Sequence, residues 1–300
     1  MKYDDVRKPD FLIIGAPRAG TSWLWSMLDQ HSGTDLPKVK EPFFFGAADI
    51  YSKGKEWYYD IFRNLDANKV IGDGSTSNFY DLVPYFFNPG GELKFDHSLG
   101  TIPALITAEL PDVKIFICLR DPVERAISHF NLFMRQGDIA PFSSIEEIDR
   151  KHPKMRLVEY GHYARFLRLW KQYVLPERMR IFIYEEAIRQ HPEATIRAAY
   201  EFLNLAPDFR PGNFRERVNA SWGWTRILLN YYLGRRVAQV SRHPPLRFIF
   251  DRLDRLGSLE RFNVRDSDID YLRTNLLPEK EEIEELLGRK LDCWKYRAST

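Results

Sequence analysis

Short runs that are apolar at every position alternate along this chain with stretches whose apolar residues recur at helical spacing. Phe11-Leu12-Ile13-Ile14-Gly15 is such a run and reads as a buried strand. The turn Ala16-Pro17-Arg18-Ala19-Gly20 follows it. Leu24, Met27, Leu28 and His31 then share one helical face, with Gly33 as the stop. The same grammar recurs. Lys69-Val70-Ile71-Gly72 is a short strand, and Val113–Leu119 is a longer one, apolar almost throughout, as central parallel strands are. Asp121 caps the next helix, Pro122 suits its first turn and Glu124 completes a capping box. Arg180–Tyr184 is a further strand, followed by a helix at 192–203. Strands alternating with helices predict a three-layer α/β domain with a central, mostly parallel sheet, whose ligands sit at the carboxyl ends of the strands.

From Trp222 onward only helical patterns remain. Trp224, Ile227, Leu228 and Tyr231 form one stripe, residues 244–256 a basic amphipathic stretch, and residues 267–290 a final helix or two. Asn88–Gly91 reads as an exposed loop. The expected organisation is one domain over 1–300, with an α/β core at 1–205 and a helical part at 206–300.

Composition narrows this picture. With 44 % apolar and 29 % charged residues in 300, the chain is globular. Two cysteines exclude a disulfide-built scaffold and a cysteine-based zinc site. No apolar run reaches the length that spans a bilayer, and the polar start Met1-Lys2-Tyr3-Asp4-Asp5 is unlike a signal peptide. The expectation is a soluble protein of a reducing compartment, the cytoplasm. The net charge of +2 conceals a contrast: residues 206–265 hold twelve arginines, no lysine and five acidic residues. An arginine-only excess points either to anion contact through planar paired donors or to a solvated helical face.

The strongest local chemistry is Gly15-Ala16-Pro17-Arg18-Ala19-Gly20-Thr21-Ser22. It has the two-glycine spacing and the closing hydroxyl pair of a phosphate loop, with Thr21 where that motif carries its lysine. Inward-turned backbone N–H groups and the helix N-terminus behind them still favour an anion, and Arg18 adds a formal charge. A tight turn with a surface arginine is the bland alternative. A metal-assisted phosphoryl-transfer kit is missing, because the central strand ends in Leu119-Arg120-Asp121 and Asp121 is taken up as a cap. Arg120, at a strand end, and Ser128, two turns into the next helix, are candidates for a second phosphate. Glu41, in Lys40-Glu41-Pro42-Phe43-Phe44-Phe45, has the surroundings of a tuned base, although a surface ion pair before a buried aromatic run reads the same way. Asp73 follows a strand end and could cap or catalyse. His97, His129 and His162 read as structural, and no cluster has metal-ligand spacing.

Together these strings resemble the sulfotransferase family that uses 3′-phosphoadenosine 5′-phosphosulfate (PAPS), especially its bacterial members and the sulfotransferase domains of the heparan sulfate enzymes. The matching strings are Phe11–Ser22, Lys40–Phe45, Leu119–Ser128, Gly161-His162-Tyr163 with Trp170, Phe202–Leu205, Val218–Ser221, and Leu287–Leu291 with Trp294. They cover nearly the whole chain in the family's order.

The resemblance implies a P-loop-like fold and transfer of a sulfuryl group from PAPS to an acceptor hydroxyl without a metal, leaving 3′,5′-adenosine bisphosphate. It implies that Ala16, Pro17, Arg18, Ala19, Gly20, Thr21 and Ser22 wrap the 5′-phosphosulfate. Arg120 and Ser128 hold the 3′-phosphate, and Glu41 is the base, with Lys40 and Arg18 assisting. The helical part closes over the nucleotide, with Arg217 and Ser221 in contact. Asp73, Ser75 and Phe44 fall on the acceptor side. The implied acceptor is a carbohydrate or glycosylated molecule, with a small non-sugar metabolite as the other option.

One departure stands out. Where the heparan sulfate enzymes have Glu-Lys-Ser or Glu-Lys-Thr, this chain has Asp73-Gly74-Ser75, so their acceptor-side lysine is absent. Residues 85–103 also look longer than in compact bacterial relatives. No nucleic acid is expected as a partner; peripheral membrane contact through the basic helices at 224–256 is an option, and a bacterial, cytoplasmic setting fits. The competing readings are a P-loop kinase using ATP and Mg²⁺ and a non-catalytic nucleotide-binding protein.

Overall fold

Phe11–Gly15 forms β1, every residue of which is buried, as its unbroken apolar run requires. The structure is a computed structural model and describes residues 7–85, 93–212, 224–233 and 264–295. Helix α1 (Thr21–Asp29) follows the turn after β1, and α2 spans Lys55–Asp60. Strand β2 is Gly72–Asp73, α3 is Ile102–Glu109 and β3 is Lys114–Leu119. Helices α4 (Pro122–Gln136), α5 (Ile145–Lys151) and α6 (Tyr163–Tyr173) precede β4 (Met179–Ile183). Helices α7 (Pro192–Phe202), α8 (Trp224–Leu233) and α9 (Asp266–Leu287) complete the described chain. The four strands make one sheet in the order β2-β1-β3-β4, and each pair is parallel. This is the α/β architecture the alternation predicts.

One element differs from expectation. The run Lys69–Gly72 is divided between partners: Val70 bridges Thr34 in parallel, while only Gly72 and Asp73 pair with β1. Between them the Ile71 N–H donates to the Asp10 carboxylate at 2.8 Å, so a side chain replaces the sheet partner. At the other end, residues 266–287 are one helix that runs through Pro278.

The chain forms two compact units. The first comprises Met1–Pro122, His162–Val218 and Pro278–Lys295; the second comprises Val123–Gly161, Asn219–Leu277 and Tyr296–Thr300. The first holds the sheet. Phe11 meets Phe116 edge to face, and Phe116 packs in turn on Phe182 and Phe202, so rings from three strands and α7 lock the layer. The Tyr200 hydroxyl donates to the Met27 carbonyl at 3.0 Å and ties α7 to α1. The second unit is helical around Val123, Phe130, Met134, Ile145, Leu157, Ile227, Leu272 and Leu276. There the Asp268 carboxylate accepts from the Ser144 hydroxyl and the Ile145 N–H, both at 2.7 Å, and caps α5.

Arg217, Ser221, the loop Asn88–Gly91 and the basic stretch 244–256 lie outside the described residues.

Candidate active site

The carboxyl ends of the four strands bring one set of residues together. β1 runs into Ala16–Ser22, β2 into Asp73–Thr76, β3 into Arg120 and β4 into Tyr184-Glu185. In a parallel sheet this edge is where ligands bind.

The glycine turn is held at both ends. The Ala16 N–H donates to the Cys118 carbonyl at 2.7 Å, which pins the loop to β3, and the Ala19 N–H returns to the Ala16 carbonyl at 3.2 Å. Arg18 sits at φ +69° and Gly20 at φ +96°. Gly20 is the residue before α1 and has no side chain with which to cap it. Helix termini leave backbone N–H groups that a cap, water or an anion must satisfy. Glycine at 20 is also a packing requirement, because a Cβ there would lie 2.3 Å from Ile188 Cδ1 and 2.9 Å from Tyr184 Cδ2.

Arg120 is drawn to the same loop. Its Nη1 donates to the Arg18 carbonyl at 3.3 Å, and its guanidinium lies 4.9 Å from the centre of the Tyr184 ring. Beside it, the Glu185 carboxylate accepts from the Asp121 N–H at 3.2 Å and from Trp294 Nε1 at 3.1 Å. Burial pushes the Glu185 carboxyl up, against backbone N–H groups and Arg120. Ser128 is partly buried on α4, in the other unit.

Glu41 and Lys40 form the second half. Lys40 Nζ lies 2.8 Å from Glu41 Oε1 and 3.3 Å from the Ser22 hydroxyl, so one ammonium joins the carboxylate to the first turn of α1, directly after the glycine turn. The Thr76 hydroxyl donates to Glu41 Oε2 at 3.2 Å. The two side chains, 20 % and 27 % exposed, keep open access from solvent.

Asp73, Ser75 and Phe44, expected at the acceptor, are buried at 0 %, 0 % and 1 % exposure. Both Asp73 oxygens are engaged: Oδ2 by the Tyr58 hydroxyl at 2.9 Å, Oδ1 by the Ser75 N–H at 2.8 Å and the Ser75 hydroxyl at 2.6 Å. In this structure these side chains are taken up by their neighbours. Burial pushes the Asp73 carboxyl up to about 6, Ser75 and Tyr58 oppose the shift, and Glu41 adds to it.

His129 is buried between Phe133 and Tyr160, and His162 Nδ1 sits 3.1 Å from Glu279, so both have structural surroundings. Among the described residues no group of His, Cys, Asp and Glu could hold a metal ion.

The sequence reading missed Thr76, Tyr184 and Glu185. Tyr184 had one usable signal, its place at the carboxyl end of a predicted strand. Thr76 had none, because its partner is 35 residues away.

A parallel α/β sheet with a glycine turn between β1 and α1 defines a protein of the phosphate-loop type. The chain belongs to the sulfotransferase family, whose model matches residues 9–209. It is 28 % identical over 214 residues to the bifunctional heparan sulfate N-deacetylase/N-sulfotransferase 1 of Caenorhabditis elegans, covering 67 % of this chain and 22 % of that protein. It is 28 % identical over 204 residues to human heparan sulfate glucosamine 3-O-sulfotransferase 3B1, covering 66 % of this chain and 46 % of that one. The match therefore spans less than half the length of these relatives. In structure the chain resembles a sulfotransferase from Alicyclobacillus acidocaldarius, with a TM-score of 0.63 and 22 % identity over 97 % of this chain and all of that one, which is the same fold.

Proposed function

We propose that this protein transfers a sulfuryl group from PAPS to an acceptor hydroxyl on a carbohydrate or glycosylated molecule, with Glu41 as the base. The observation that carries the reading is the Lys40 bridge, since Nζ lies within 2.8 Å of Glu41 and 3.3 Å of Ser22. It brings the carboxylate beside the start of the helix that follows the glycine turn, which supports reading them as one site. The chemistry of the donor set suits a nucleotide with two phosphorylated ends. Arg18, the N–H groups of the turn and the start of α1 suit one anion, and Arg120 suits a second. Ser128, Arg217 and Ser221 are assigned to the nucleotide by the sequence resemblance alone.

Bound there, PAPS would supply the sulfuryl group to be transferred. The residues of the chain supply the rest. Glu41 takes the proton of the acceptor hydroxyl, a step typically worth 10²–10⁴-fold in rate. Donors of the glycine turn and Arg18 meet charge that grows on the departing phosphate, and a well-placed donor of this kind is worth about 3 kcal/mol. Lys40 holds Glu41 in line with the turn. Arg120 does not touch the reacting bond and selects nucleotides that carry a 3′-phosphate. The relatives named for heparan sulfate support a carbohydrate acceptor. Gly74 lacks the lysine of those enzymes, so a desulfated heparan chain is one member of the acceptor panel and not its premise.

Thermal melts with nucleotides test the reading. 3′,5′-Adenosine bisphosphate should raise Tm where ATP with Mg²⁺ does not, and Arg120→Ala should abolish most of that rise. Glu41→Gln should bind the bisphosphate like the wild type and transfer sulfate about 10²–10⁴-fold more slowly. Stabilisation by ATP with Mg²⁺ alone would overturn the donor assignment, and full transfer by Glu41→Gln would remove Glu41 as the base.

A further inference from the structure

The residues after β2 grip the segment that carries Glu41 at several points. The Gly74 N–H donates to the Lys40 carbonyl at 2.9 Å, and the Phe43 N–H donates to the Ser75 hydroxyl at 2.9 Å. The Thr76 hydroxyl holds Glu41 Oε2 at 3.2 Å. Three successive residues thus take hold of the backbone on either side of Glu41 and of its carboxylate. The Lys40 stem also lies across bare backbone: a Cβ on Gly74 would fall 3.0 Å from Lys40 Cγ and Cε and 2.9 Å from Trp25 Cε3.

The gripped segment has reason to need holding. Phe43 sits at φ +59°, the left-handed region that side chains other than glycine enter at a cost of about 1–3 kcal/mol. Such strain persists only where the surroundings over-determine the conformation. The bond that over-determines it runs through Ser75 to Asp73. The Ser75 hydroxyl accepts from Phe43 and directs its own proton to Asp73 Oδ1 at 2.6 Å. Asp73 is fixed from its other side by the Tyr58 hydroxyl. The Tyr58 ring in turn stacks on Phe44 at 4.6 Å and 10°. The relay Tyr58–Asp73–Ser75–Phe43 therefore begins and ends on the aromatic run that follows Glu41. A carboxylate in this place orients the Ser75 hydroxyl, since an acceptor-only group leaves it one role, to donate toward Asp73 and accept from Phe43.

We propose that the turn Asp73–Thr76 is a template that sets where the Glu41 carboxylate points, with Asp73 and Ser75 as positioning residues for the base. The inference rests on the reading of Glu41 as base. Displacing a catalytic group by about 1 Å can cost about 10²-fold in rate, so a template that holds the base to within a fraction of that distance has catalytic weight.

The test uses the full chain with Ser75→Ala, Asp73→Asn and Thr76→Val, and Glu41→Gln as reference. Amide hydrogen exchange at Phe43 is read by NMR, and bisphosphate affinity by calorimetry. Sulfate transfer from PAPS is read on desulfated heparan oligosaccharides and p-nitrophenyl glycosides. Ser75→Ala should lose exchange protection at Phe43 by about tenfold or more, because the hydrogen bond made by a half-buried N–H is gone. Where transfer is measurable, kcat should fall by about 10²-fold while the bisphosphate Kd and the KM for PAPS stay within about twofold. Asp73→Asn should move in the same direction. Thr76→Val leaves the backbone tethers in place and should lower kcat with Phe43 protection unchanged, which separates the two grips. Unchanged Phe43 protection in both Ser75→Ala and Asp73→Asn would overturn the template. So would wild-type kcat in these two variants alongside an inactive Glu41→Gln. An active Glu41→Gln would instead remove the base reading and leave the exchange result standing.

Discussion

Asp73 has no exposed surface, and its carboxyl is pushed by burial from the ordinary 3.8 up to about 6. Between those two values the folded chain holds a proton that the unfolded chain has released. Stability therefore falls as pH rises through this window, and above the folded value the full penalty is present. A pKa raised by about two pH units corresponds to roughly 3 kcal/mol. Asp73→Asn removes the titration. The Tm of the variant relative to wild type should accordingly rise between about pH 4 and pH 7, and melts across that range measure it. A difference that stays flat, or falls, would mean that the carboxyl is not held in its buried form. An acid kept where its ionisation opposes folding is explained by what it positions, the Ser75 hydroxyl and through it Phe43.

At the scale of elements, the unit β1–turn–α1 was legible because each of its signals is local. An apolar run, two glycines at fixed spacing and a following helical stripe lie within about twenty residues of one another. Gly20 concentrates the physics of that unit. Its φ of +96° excludes side chains, and a Cβ would lie 2.3 Å from Ile188. Gly20→Ala should cost about 1–2 kcal/mol for the backbone and about 1–3 kcal/mol for overpacking. It should also abolish the Tm rise given by 3′,5′-adenosine bisphosphate. A variant that melts and binds like wild type would show that the turn is free to relax.

What the sequence did not disclose are pairings across long separations. Lys40 reaches Ser22 and Thr76 reaches Glu41, and neither spacing follows any helical or strand period. Asp73 read as a cap or a substrate contact because sequence shows a carboxylate and a neighbouring serine. It does not show that Tyr58 has already closed the other oxygen. The split of Lys69–Gly72 has the same origin: the Asp10 side chain stands in for a strand partner at Ile71.

For the whole molecule, the match to the family ends at residue 209, yet the unit that holds the glycine turn does not. Residues 278–295 complete it. Glu279 accepts from the Ala164 N–H at 3.0 Å and meets His162, at the start of α6. Arg289 forms a paired bridge to Glu186, with bonds of 3.0 and 2.7 Å. Leu291 and Trp294 are buried at 0 % and 1 % exposure. Trp294 then donates to Glu185, which holds the Asp121 N–H next to Arg120. This stretch of the helical part thus belongs to the same compact unit as the sheet. A fragment ending at residue 209 should therefore fail to fold cooperatively, and far-UV circular dichroism with limited proteolysis would show it. Within the full chain, Trp294→Ala should cost about 3–5 kcal/mol in chemical denaturation, as large buried aromatics do. Trp294→Phe keeps an aromatic ring and loses the N–H to Glu185, a bond to a carboxylate worth about 1.5–3 kcal/mol, together with the packing of the smaller ring of the indole. If Trp294→Phe binds 3′,5′-adenosine bisphosphate less tightly while retaining most of its stability, the C-terminal stretch reaches the nucleotide site through Glu185. Unchanged affinity in that variant would confine its part to folding.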